Sequence, residues 1–142
     1  MRIDVAFTPA EAGPAHVAVV VDVMRATSTI AQALASGYRR VLCCREIADA
    51  RALRRQLGDE AVVGGERDAV QIEGFDLGAS PREYLEPRAE TAILTTTNGT
   101  RSTLAAAANA EHVLLGSLLN LDAVAAASVG APSKRATIRP AQ

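Results

Sequence analysis

Asp22, Glu66 and Asp76 are three carboxylates in separate polar segments, each close in sequence to an arginine or to hydroxyl side chains. In residues 22–29, Asp22 precedes Arg25, Thr27 and Ser28. In residues 64–67, a glycine pair that lets backbone approach a ligand closely is followed by Glu66 and Arg67. Residues 74–81 hold Asp76 between glycines, with Ser80 before a proline that can open a short helix. Residues 95–101 read TTTNGTR, so that backbone amides, Asn98 and the bidentate guanidinium of Arg101 can face one oxyanion. Carboxylates are hard oxygen ligands suited to Mg2+, and guanidiniums with helix starts neutralise phosphate. Together they suit hydrolysis of a small acidic phosphate ester, a reaction that needs chiefly positioning, charge compensation and an activated water. Each segment alone also has a plainer reading: a helix cap at Thr27 or Ser28, a surface ion pair after the glycines, an ordinary turn around Asp76, and strand threonines at 95–97.

The elements that must position these residues follow from periodicity. Residues 2–7 alternate as a short strand, and 8–14 form a loop. Residues 16–23 are a Val-rich apolar run expected as a strand buried on both faces. Helix 27–36 ends at Gly37; strand 40–44, helix 47–57 closed by Gly58, and strand 61–64 follow. Residues 68–87 break the rhythm as a loop with one helical turn near 81–85, after which come strand 89–96, helix 100–108, strand 112–116 and helix 121–128. This alternation predicts an α/β fold, a largely parallel sheet with helices on both faces, whose ligands bind beyond the carboxyl ends of the strands. Residues 132–142 carry no apolar periodicity and are expected as an irregular tail.

Composition excludes other classes. A formal charge of -1 gives no basic footprint for nucleic acid. No stretch is long and apolar enough to suggest a membrane span, and no leader is evident, which makes the cytoplasm the expected address. The only cysteines, Cys43 and Cys44, are adjacent and read as reduced strand residues. His16 and His112 each begin a strand and are assigned to packing or surface, without a paired ligand, so zinc is not expected. Phosphate-loop, dinucleotide and nucleophile-elbow patterns are absent from the sequence.

The segments VVVDVMRATSTI, VVGGER, GFDLGASPREY, TTTNGTR and LLGSLLN occur in the order and spacing of the 2-phosphosulfolactate phosphatase family, which the chain resembles from residue 2 to about 127. The resemblance implies a three-layer α/β/α fold and Mg2+-dependent hydrolysis of 2-phospho-3-sulfolactate to 3-sulfolactate and phosphate, in a route to coenzyme M or related sulfonates. It carries over Asp22, Arg25, Thr27 and Ser28; Glu66 and Arg67; Asp76 and Ser80; Thr97, Asn98, Thr100 and Arg101; and Ser117 and Asn120 at a further strand end. Asp22, Glu66 and Asp76 are assigned here as the catalytic and metal-binding carboxylates, and the others as phosphate- and substrate-binding. Where family members carry Asn before the Ser-Pro pair, this chain has Ala79. Members of the family also continue further, so residues 1–131 are expected to be the N-terminal portion of a phosphatase domain, and a homo-oligomer is plausible. Two alternatives are a catalytically silent fragment that binds an anion or partner, and a phosphatase for another small 2-phosphohydroxy acid.

Overall fold

A computed structural model describes residues 2–130. The strands are β1 (Ala15–Val21), β2 (Arg40–Cys43), β3 (Ala61–Arg67), β4 (Val70–Gln71), β5 (Thr91–Thr95) and β6 (Ala110–Gly116). The helices are α1 (Ala26–Ser36), α2 (Ile47–Leu57), α3 (Gly99–Asn109) and α4 (Leu121–Val129). One sheet has the order β2-β5-β3-β4, with β2-β5 and β5-β3 parallel and the short β4 antiparallel to β3. A parallel pair, β1-β6, forms the second sheet in the register Ala15↔Ala110 to Val21↔Gly116. Helices α1 and α3 bridge the two, since α1 packs against β2 and β6 and α3 against β1, β6 and β2.

The larger sheet is covered on both faces, which gives the α/β/α layering. On one side, Ile30 and Ala33 of α1 meet Tyr38, Val62, Ala92, Leu94 and Tyr84. On the other, Ala50 of α2, with Ile47, Leu53 and Leu57 on the same stripe, meets Val63, Ile93, Ile72 and Phe75. These spacings put one apolar face of each helix on the sheet and leave Arg51 and Arg55 outside it. Every residue of β5 is buried, as a central strand between two helical layers requires. Fully burying a side chain such as Ile93 stabilises the fold by about 1.5–3 kcal/mol. Helix α1 stops at Gly37, whose φ of 111° turns the chain so that the Tyr38 N–H donates back to Ala33 O at 3.1 Å.

Residues 74–81 run along the free edge of β3. The Leu77 amide donates to Val63 O at 3.1 Å, and the Gly65 amide to Leu77 O at 3.2 Å. Tyr84, in a 3-10 turn at Pro81–Tyr84, donates from its hydroxyl to Gly78 O at 2.9 Å. That hydroxyl occupies the space where a side chain on Gly64 would stand.

Three sequence expectations need correction. Residues 2–7 form no strand: they are exposed, and their alternation finds no ladder partner among the described residues. Strand β1 is not buried on both faces; Val19 and Val21 are exposed, because β6 is its one partner among the described residues. Part of the expected loop 68–87 is a hairpin arm, β4, reached through Asp68 and Ala69 with φ of 52° and 66°. Two left-handed residues in a row make a hairpin turn that matches strand twist. The expected tail at 132–142 lies outside the described residues.

Candidate active site

Asp22 leaves the carboxyl end of β1 just before α1, and the intervening loop contains a cis peptide between Met24 and Arg25. The Thr27 hydroxyl accepts from the Asp22 amide at 3.0 Å and lies 2.8 Å from Asp22 O and 2.6 Å from Gly116 O. One buried hydroxyl thus ties the ends of β1 and β6 to the first turn of α1. The Asp22 side chain lies against Gly99, the first residue of α3: a Cβ built there would be 2.5 Å from Asp22 Oδ2 and would overlap the Ala26 methyl. Glycine at 99 is therefore a condition for α1, α3 and Asp22 to meet.

Glu66, near the end of β3, reaches the same place from the other sheet. Its Oε1 accepts from the Thr97 amide at 2.7 Å, and its Oε2 from the Thr97 hydroxyl at 3.1 Å and the Ala69 amide at 2.9 Å. Arg25 donates to Ala69 O at 3.4 Å, so that its guanidinium lies beside this turn. Burial raises the Asp22 carboxyl above its ordinary pKa, and the Glu66 charge adds to that, while the Ala26 and Arg25 amides and the Arg25 charge pull weakly the other way. Burial pushes Glu66 upward as well, but the Thr97 and Ala69 hydrogen bonds and the Arg25 charge outweigh it and leave the carboxyl below its ordinary value. The two neighbouring carboxylates are thereby shifted in opposite directions, Asp22 upward and Glu66 downward.

This pair stands where the amino ends of α1 and α3 converge, which places positive helix-dipole ends beside two hard oxygen donors. A family model described as 2-phosphosulpholactate phosphatase matches residues 5–138. The chain belongs to that family. It is 45% identical over 122 residues to a "Probable 2-phosphosulfolactate phosphatase" of Pseudothermotoga lettingae, covering 86% of this chain and 52% of that relative. It is 43% identical over 127 residues to the protein of the same description from Carboxydothermus hydrogenoformans, covering 88% and 52%. With the Clostridium acetobutylicum protein, also so described, identity is 44% over 110 residues, covering 76% and 46%. The chain spans about half the length of the curated relatives it matches.

Within this family framework, the site residues expected from sequence divide into two groups. Arg25 and Thr97 lie at the Asp22–Glu66 rim, where Thr97 holds Glu66, while Asn98 precedes α3 and Arg101 is exposed on its first turn. The others serve the frame. Thr27 is buried as described, and Ser28 donates to Val23 O at 2.9 Å. Thr100 and Thr96 exchange hydroxyl and amide hydrogen bonds at 3.1 Å, closing the turn before α3. Arg67 donates to Glu66 O, Arg45 O and Thr95 Oγ1, stitching three strand ends together. Ser80 begins the 3-10 turn, with its amide donating to Glu83 at 3.3 Å. Asn120 Oδ1 accepts from the Ser117 amide at 2.9 Å, a self-contained turn after β6.

Asp76 is the main correction. Its Oδ2 accepts from the Val63 amide at 2.8 Å and pairs with Arg54 at 3.4 Å, facing α2 beside the middle of β3 rather than the rim. Among the described residues, Asp22, Glu66 and Asp76 do not form a group of ligand atoms close enough to share one ion. The carboxylate instead satisfies a backbone donor on an otherwise open strand edge.

His16 and His112 also depart from expectation, since both lie beside Glu111. Cys43 and Cys44 are free and buried, and burial pushes their thiols up to about 12 and about 11, which makes both inert at neutral pH. Ala69 was not legible as a site residue, yet its amide holds Glu66 and its carbonyl receives Arg25. Gly99 carried a signal in the Asn98-Gly99 pair, which marks a turn but not what the missing Cβ makes room for. No described helix is long and apolar enough to cross a membrane.

Proposed function

We propose that this chain carries the metal- and phosphate-binding rim of a Mg2+-dependent phosphatase, hydrolysing 2-phospho-3-sulfolactate to 3-sulfolactate and phosphate. The observation that carries the reading is the convergence of Asp22 and Glu66 from two sheets at the amino ends of α1 and α3. Family membership supports this substrate class. The donor set fits magnesium: two carboxylates with the remaining positions left to water and phosphate oxygens is an ordinary arrangement for this ion. Asp22 and Glu66 would hold it, and when bound it supplies positive charge to the phosphoryl oxygens and acidifies water.

The chain's own groups account for the rest. Glu66 stays anionic because its oxygens are held by amides of the Thr97 and Ala69 turns. Asp22, holding the ion through one oxygen, would take the proton of the attacking water on the other as the phosphorus–oxygen ester bond breaks. Arg25 and the exposed Arg101 neutralise the phosphate and the second acidic group of the substrate. The leaving oxygen takes up a proton from solvent at this open rim and departs as the hydroxyl of sulfolactate, and Asp22 returns its proton to solvent.

The test is phosphate release from 2-phospho-3-sulfolactate by the purified chain, with Mg2+ and with chelator. Release that stops on chelation and returns with Mg2+ supports the reading, and release indifferent to chelation defeats the metal assignment. Preference for a phosphorylated hydroxy acid without a sulfonate would reassign the substrate. A second reading, binding without turnover, draws support from the exposed Val21, Met24, Leu118, Leu119 and Leu121 around the β1–β6 end, a surface suited to association with a partner or a second copy. Absence of hydrolysis together with a stable oligomer that binds phosphate would favour it.

A further inference from the structure

At the opposite end of the β1–β6 pair from Asp22, about 20 Å along the strand at 3.3 Å per residue, His16, Glu111 and His112 are gathered by the parallel register. Ala15 faces Ala110 and Val17 faces His112, so His16 is set beside Glu111 across the ladder. His16 Nδ1 and Glu111 Oε2 are 2.9 Å apart, and the two imidazole rings meet edge to face with centroids 5.3 Å apart. One nitrogen of each histidine and one oxygen of Glu111 all lie within 4.8 Å of one another.

We propose that His16, Glu111 and His112 form a binding site for a divalent transition metal, Zn2+ in the first place, distinct from the Asp22–Glu66 rim. Two imidazoles and one carboxylate are a three-ligand set that zinc takes with water in the fourth position. Imidazole nitrogen selects zinc, nickel or copper over magnesium and calcium, which prefer oxygen alone. Zinc bonds of about 2.0–2.2 Å bring tetrahedral ligand atoms to roughly 3.3 Å from one another, so rotamer adjustments that close gaps of up to about 1.5 Å complete the site. Such adjustments are open to these side chains, because His16 and Glu111 are 69% and 72% exposed. Binding takes each imidazole nitrogen by its lone pair, so the proton of a neutral imidazole sits on the ring nitrogen that faces away from the metal. Because the ligands come from both strands, the metal also clips β1 to β6.

The test uses the untagged full chain, stripped of metal, titrated with Zn2+ against a chromophoric chelator and with Co2+ followed by absorption. One tight Zn2+ per chain is expected, weakened at least tenfold in His16→Gln and in His112→Asn and unaffected by Asp22→Asn. Bound Co2+ should show visible bands of a nitrogen and oxygen site without a thiolate charge-transfer band. The metal-free variants should keep the circular dichroism and thermal midpoint of the parent, so that lost binding is not lost folding, and Zn2+ should raise the midpoint of the parent alone. Zinc bound equally well by the His16→Gln/His112→Asn double variant, a thiolate band pointing to Cys43 or Cys44, or no stoichiometric binding by the parent would each overturn the proposal.

Discussion

Replacing Gly99 by Ala perturbs the one position through which α1, α3 and Asp22 touch. The added Cβ overlaps the Ala26 methyl and stands 2.5 Å from Asp22 Oδ2 and 3.3 Å from Asp22 Cγ. Non-bonded carbon atoms settle at about 3.5–4.0 Å, so the carboxylate and the start of α1 must together withdraw by about 1 Å. Overpacking of this kind costs about 1–3 kcal/mol, and a thermal midpoint near this chain length moves by about 4 °C per kcal/mol. A shift of 1 Å in a reacting group costs turnover about 100-fold. Phosphate release should therefore fall about 100-fold while most of the fold survives. Adding Ala26→Gly removes the methyl but leaves Asp22 in the way, so the double variant should recover at least 1 kcal/mol of stability beyond additivity and little turnover. Chemical unfolding of the four proteins in a double-mutant cycle, with turnover measured on each, checks both statements. Additivity within about 0.5 kcal/mol would mean that residues 26 and 99 do not touch, and wild-type turnover in Gly99→Ala would remove Asp22 from the site.

Gly64→Ala should lower stability by about 3 kcal/mol in denaturant unfolding, because its Cβ meets the Tyr84 hydroxyl and breaks the bond to Gly78 O. Ala69→Gly should raise stability by up to about 1 kcal/mol, since Ala69 holds a φ of 66° that glycine adopts without a Cβ penalty, as a shifted thermal midpoint would show. The carboxylates should act oppositely with pH. The folded-state pKa of Glu66 is depressed, so its contribution is present above the unfolded value of about 4.3 and lost as pH falls through the folded one; Glu66→Gln should be less stable than the parent at pH 7, with the gap closing in acid. The folded-state pKa of Asp22 is raised, so its contribution is present below the unfolded value of about 3.9 and lost as pH rises through the folded one; Asp22→Asn should gain on the parent as pH rises, measured by unfolding from pH 3 to 7.

The alternation of apolar runs with helix-length segments was enough to locate β2, β3, β5, β6 and helices α1 to α4 of the described residues, because glycines such as Gly37 mark helix ends by a backbone geometry other residues avoid. Residues 2–7 misled because alternation describes a strand's faces but not whether a neighbouring strand exists to pair with it. The Val-rich run of β1 misled in the same sense: composition suits burial on two faces, whereas exposure depends on what lies alongside. The hairpin at Asp68–Ala69 lacks the Asn-Gly or Asp-Gly pair that announces such turns, so strand pairing, not local chemistry, imposes its left-handed backbone. The strand ends at which the sequence set Asp22, Glu66 and Thr97 do come together in the fold, since open parallel sheets bring strand ends to one rim. Asp76 carried the same signal, but a carboxylate between glycines reads alike whether it faces an ion or an orphan amide on a sheet edge. The grouping of His16 with Glu111 and His112 depended on the register of two strands 95 residues apart, which no local pattern encodes.

The most direct measurement compares Asp22→Asn with Asp76→Asn in Mg2+-supported phosphate release, each variant first shown to be folded by circular dichroism. Asp22→Asn should abolish release, while Asp76→Asn, which weakens the bond from the Val63 amide and loses the Arg54 ion pair, should melt earlier yet keep turnover per folded molecule. A folded Asp76→Asn that is as inactive as Asp22→Asn, or an Asp22→Asn that still turns over, would contradict the two-carboxylate rim.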